Sequence, residues 1–107
     1  AKQAYYSTLL RELSHWSGHE KRLDRKLLSR FGSNAYAFEE LVAETSASFL
    51  CAILKVNNKP SIDNAKYLNS WLEILKQDKK AMMKAFSLAQ KATDYLLYYT
   101  NQMQEVA

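Results

Sequence analysis

The sequence predicts a mainly α-helical chain, a single domain of about four helices over residues 1–107. Two glycines and one proline among 107 residues leave few places where a helix must break. Apolar residues recur at helical spacing in four separate stretches. Nowhere does a run alternate apolar and polar residues as a half-buried strand does. With 48% hydrophobic residues, the chain can enclose one modest core and does not have a disordered composition.

The first helix is expected from about Gln3 to Trp16, with Tyr5, Tyr6, Leu9, Leu10, Leu13 and Trp16 in one apolar arc turned toward the core. Gly18 is read as its terminator, taking the left-handed conformation that closes helices. A charged segment from Glu20 to Arg30 follows, either a solvated loop or a short helix around Leu23, Leu27 and Leu28. Ser33 and Asn34 are suited to cap a second helix from about Ala35 to Leu54. That helix is apolar almost all round, the pattern of a centrally buried element. Residues 55–61, with Asn57, Asn58 and Pro60, read as a connector. Ser61 or Asp63 caps the third helix, whose inner stripe is Tyr67, Leu68, Trp71, Leu72 and Leu75. Asp78 caps a long last helix with the seam Met82, Ala85, Ala89, Ala92, Leu96, Tyr99 and Met103. This is heptad spacing, read as antiparallel packing within the domain, and its three alanines allow a close neighbour.

Charge and composition exclude some classes. Fifteen Lys and Arg against eleven Asp and Glu give a net charge of +4, mild enough to permit nucleic-acid contact without arguing for it. No apolar run approaches the roughly 20 residues that span a bilayer, so no membrane partner is expected. The single cysteine, Cys51, has no internal disulfide partner, so nothing suggests an oxidising compartment. It reads as a small core residue, with a reactive thiol as the alternative.

Chemistry concentrates in Arg11-Glu12-Leu13-Ser14-His15. The motif His-Glu-x-x-His sets two imidazoles one turn apart on a helix, beside a carboxylate that activates a metal-bound water. Here Glu12 and His15 match, but Arg11 stands in the first histidine's position, and a guanidinium has no lone pair for a metal. His19, four residues past His15, would be a substitute ligand only if the helix ran through Gly18. By spacing alone, an ordinary solvent-facing helix surface is the favoured reading of Glu12 and His15. Glu40 and Glu44 sit one turn apart among small apolar residues of the second helix. Buried carboxylates need a cation or a metal, and Arg11 and His15 are the candidates to pair with them. Glu39 reads as an exposed neighbour. Lys21, Arg22, Arg25 and Lys26 could follow a phosphate backbone. Acidic Glu20 and Asp24 interrupt them and no aromatic is interleaved, which favours a solvated rim.

The ordered blocks carry a resemblance. Tyr5-Tyr6-Ser7-Thr8-Leu9-Leu10, Glu-Leu-Ser-His-Trp-Ser-Gly-His over 12–19, and Arg22-Leu23-Asp24-Arg25 come first. Arg30-Phe31-Gly32, Glu39-Glu40-Leu41-Val42-Ala43-Glu44, Ala47-Ser48-Phe49-Leu50-Cys51, Tyr67-Leu68-Asn69-Ser70-Trp71-Leu72 and residues 89–97 follow. Together they resemble the zincin-like metallopeptidase domain of ArdC-type antirestriction proteins of plasmids, phages and conjugative elements.

The resemblance implies a fold in which strands precede the active-site helix, so this chain corresponds to the helical part. It implies zinc, with Glu12 as general base, His15 as a ligand, Glu40 as the favoured acidic ligand, and Glu44 as a ligand or a partner orienting one. It implies a bacterial cytoplasmic protein acting on a polypeptide substrate or host protein, and single-stranded DNA bound by a separate N-terminal domain. Arg11 opposes metal binding in this copy. Two functions therefore stand: an impaired or inactive peptidase domain that helps mobile DNA escape restriction, or a non-catalytic helical module that binds protein or DNA.

Overall fold

In the computed structural model, residues 2–25, 34–57 and 64–106 are described. They form four helices in chain order: α1 (Lys2–Trp16), α2 (Ala35–Leu54), α3 (Asn64–Gln77) and α4 (Ala81–Val106). No strand occurs among the described residues. The expected mainly α architecture of four helices is the one observed, and α2 has the expected bounds.

Helix α2 is the central element, packed on α1 along one side and on α4 along another, with α3 against both α2 and α4. Half of its residues are buried, among them Phe38, Val42, Ala43, Ala47, Leu50 and Cys51. Phe38 and Val42 meet Ile74 of α3 and Ala81, Ala85 and Ala89 of α4 in one cluster. The alanines bring the α4 backbone close to α2. The buried hydroxyls of Ser46 and Thr93 then meet at 3.0 Å across the seam. Trp71 of α3 donates its indole N–H to the carbonyl of Ala37, 2.6 Å away, which satisfies a half-buried polar atom. The molecule measures 46 × 31 × 18 Å. Its short axis accommodates about two helix diameters, so the outer helices each keep a solvent side.

Helix ends depart from the expectations in physical detail. Asn34 precedes α2 but makes no side-chain capping bond, and Ser33, Ser61 and Asp63 lie outside the described residues. Helix α2 stops because Lys55 turns left-handed (φ 58°) and bonds back to the carbonyl of Cys51, which Val56 also reaches. Asp78 does serve the start of α4, accepting from the backbone N–H of Lys80 and from the ammonium of Lys84. The seam of α4 runs through Ala81, Ala85, Ala89, Ala92, Thr93 and Leu96, all buried, while Met82 and Tyr99 are exposed. In α3 Ile74 is buried and Leu75 packs, partly buried, against the same cluster, while Leu68 and Leu72 face solvent.

The largest correction concerns α1. Tyr5, Tyr6, Leu9, Leu13 and Trp16 are exposed, and the residues buried against α2 are Ser7, Arg11, Ser14 and Ser17. The helical period is as expected and the inward phase is rotated. Small serines allow α1 to lie close to α2. Their hydroxyls are satisfied locally, Ser14 donating to the carbonyl of Leu10 and Ser17 to that of Ser14.

Candidate functional site

That rotation places the motif residues against α2. Arg11 is only 9% exposed, and its Nε donates to Oε1 of Glu44, likewise buried, at 2.5 Å. One turn on, Nε2 of His15 lies 3.2 Å from Oε1 of Glu40. Both carboxylates expected to need a cation therefore have one, each from α1. Cys51 is buried on the same side of α2, hydrogen-bonded to Ser7. Burial first, then the Glu44 carboxylate, pushes its thiol pKa up, against the Ser7 bond and the charge of Arg11. Its core reading stands over that of a reactive thiol.

Glu39, read from sequence as exposed, is the hinge of the site. Its Oε2 lies 2.9 Å from Nδ1 of His15, and both its oxygens accept from Arg25, Oε1 from Nε and Oε2 from Nη2, each at 2.8 Å. The same guanidinium also donates to the carbonyl of Ser14 and to the hydroxyl of Ser17. The Arg25 side chain is 2% exposed. Arg25 is thus withdrawn from any phosphate contact, because a planar fork with five donors is spent on one carboxylate and the end of α1. The signal for Glu39 was present in its neighbour: residues 39, 40 and 44 share one arc of a helix, so a site that takes the last two borders the first.

The turn after α1 delivers Arg25. Leu23, Asp24 and Arg25 return their N–H groups to the carbonyls of Ser17, His19 and Gly18, with Asp24 in the left-handed region at φ 52°. Gly18 does not take the expected left-handed conformation, and steric room explains it instead. A Cβ there would sit 2.7 Å from Nη2 of Arg25, inside any tolerable contact. Arg22 lies over the Trp16 ring at 3.8 Å and donates to the Trp16 carbonyl, a partly shielded cation–π contact. His19 is exposed on this turn, off the helix, with Nδ1 accepting from the backbone of Lys21. It does not continue the helical spacing from His15. Lys21 is exposed, and Lys26 lies outside the described residues. Glu12 is exposed and lines an open cleft of about 780 Å³ together with His15, Trp16, His19, Arg22, Tyr36 and Glu39.

Electrostatics follow from this pairing. Burial disfavours a charged His15, but the bond to Glu39 and the charges of Glu40, Glu39 and Glu12 outweigh it and raise its pKa above 6.5. Burial likewise opposes ionisation of Glu39, yet its bonds to Arg25 and His15 hold it below 4.5. An imidazole with a carboxylate on each nitrogen is best satisfied as the doubly protonated cation.

The donor set does not fit zinc. Arg11 offers no lone pair, and both nitrogens of His15 face carboxylates. Glu44 is engaged by Arg11, and among the described residues no three His, Cys, Asp or Glu side chains form a metal-holding group.

The chain belongs to the zincin-like metallopeptidase family, whose description matches residues 1–88. It is similar to the antirestriction protein ArdC of plasmid R388, solved in a metal-free crystal structure. The two are 48% identical, with a TM-score of 0.75, over 87% of this chain and 33% of that one. It is 45% identical to the uncharacterized protein y4eC of Sinorhizobium fredii, over 87% of this chain and 30% of that protein. It is also 41% identical to the DNA primase TraC of Escherichia coli, over 94% of this chain and 10% of the primase. The chain thus spans a third or less of the length of these relatives. No described helix is long and apolar enough to cross a membrane.

Proposed function

We propose that this chain is the zincin-like domain of an antirestriction protein, one that helps mobile DNA escape host restriction, and that peptide hydrolysis is impaired or lost in it. The likeness to ArdC along most of the chain supports the antirestriction role. The observation that carries the loss of hydrolysis is the Arg11–Glu44 pair. It commits an acidic side chain of the family's site to a fixed cation, and zinc remains the cofactor of the family rather than of this copy. The setting is the bacterial cytoplasm. The partner is a host polypeptide, with single-stranded DNA engaged by other parts of the longer relatives.

The test is transformation of a restricting host with unmodified plasmid, with and without expression of the full protein that carries this domain. Transformants should rise with expression. An unchanged yield with protein present would remove the antirestriction reading. A second reading, a non-catalytic module that binds protein or DNA, is favoured by the same Arg11–Glu44 pair. It predicts that escape from restriction survives Glu12→Gln, which removes the family's general base, whereas escape that rests on residual hydrolysis would be lost with it.

A further inference from the structure

We infer that the cluster between α1 and α2 excludes zinc because the Arg11 guanidinium stands against Glu44 in a metal's place, and that the other residues of the cluster keep ligand chemistry. The inference rests on the family assignment and not on the antirestriction role.

Three carboxylates, Glu39, Glu40 and Glu44, meet three nitrogen-bearing side chains, Arg25, His15 and Arg11. Each carboxylate accepts from at least one of them, and Glu44, the carboxylate beside position 11, is held by a fixed guanidinium. Inserting one would require breaking a buried ion pair and would set the metal beside a guanidinium that cannot deprotonate. The rest of the cluster, however, keeps ligand chemistry. His15 has Nδ1 on a carboxylate that Arg25 holds from its other side, the arrangement that fixes an imidazole for coordination through Nε2. Glu40 faces that Nε2. Glu44 is the carboxylate within reach of position 11. A neutral imidazole at position 11 would therefore take the fixed cation away from Glu44 and set two nitrogen ligands one turn apart beside it.

The experiment measures zinc content by elemental analysis after equilibration with zinc and dialysis, and melting temperature with zinc or with a chelator. The wild-type chain should retain no stoichiometric zinc and should melt at the same temperature under both conditions. Arg11→His should retain stoichiometric zinc and melt higher with zinc than with chelator. Adding His15→Ala to that variant should abolish the gain. Arg11→Lys, which preserves the cation, should behave as the wild type. If Arg11→His is unfolded without metal, recovery of its helical circular dichroism on adding zinc supports the inference equally. Stoichiometric zinc on the wild type, lost on His15→Ala, would overturn it. So would an Arg11→His variant that neither binds zinc nor is rescued by it. These readouts concern metal alone, so they can fail while the restriction assay succeeds, or the reverse.

Discussion

His15 and Glu39 are joined at 2.9 Å across the α1–α2 interface, and Arg25 grips the same carboxylate from its other side. Linkage then sets a pH window. His15 binds its proton more tightly folded than unfolded, so its contribution is full below its ordinary pKa of 6.5 and fades as pH climbs through the raised folded value. Glu39 loses its proton more readily when folded. Its contribution is full above 4.5 and fades as pH falls through the depressed folded value. The stability difference between wild type and Glu39→Gln should therefore be greatest between about pH 4.5 and 6.5 and shrink on both sides. Urea midpoints across pH 3 to 9 (about six units) check this. A difference that does not vary with pH would refute it.

Removing Arg11 should cost far more than replacing the pair. Arg11→Met leaves Glu44 buried without its cation and should destabilise by about 3–5 kcal/mol. Arg11→Met with Glu44→Leu fills the same space with apolar atoms and should recover most of that loss. Urea denaturation of the single and double variants measures both, and a double variant no better than the single would contradict the pairing.

Position 18 should accept nothing larger than glycine without cost. An added methyl meets the Arg25 guanidinium at 2.7 Å, so Gly18→Ala must displace the fork that holds Glu39. With the Arg25 charge drawn away from the shared carboxylate, the His15 imidazole should then titrate at higher pH than in the wild type, as followed by NMR of its ring protons. Fold stability should drop by about 1–3 kcal/mol. An unmoved His15 titration would show that Arg25 does not act through Glu39.

The α2–α4 seam depends on small side chains. Ala89 is fully buried, whereas Met83 is 73% exposed on the same helix. Ala89→Leu should destabilise by at least ~1–3 kcal/mol through overpacking, and Met83→Gln should change stability by no more than about 0.5 kcal/mol. Thermal or urea unfolding distinguishes them directly.

Much of this architecture was legible in the sequence. The central position of α2 was legible because apolar side chains run almost all the way round it, so burial was expected whichever way it faced. Helix α1 shows where that reasoning fails. Its apolar arc has the right period, but period alone does not say which face turns inward. Here the inward face is Ser7, Arg11, Ser14 and Ser17, residues that hydrophobicity ranks as surface. The need of Glu44 for a cation did point to Arg11, because a buried charge demands a partner whatever the helix phase. The pairing of Glu39 with Arg25 was not legible, because it spans 14 residues and a turn and leaves no periodic trace on the Arg25 side.

Among the described residues of α1 the buried ones are Ser7, Ser14 and Arg11, and the long side chain of Arg11 is the one that crosses from this face to Glu44. A metal centre draws its cation from the surroundings, whereas this one is inherited. Positions 11 and 44 therefore make a two-letter agreement that must be copied together. Drift of either to a neutral residue strands a buried charge on the other helix. Lineages descended from this sequence should change the two positions jointly or keep both.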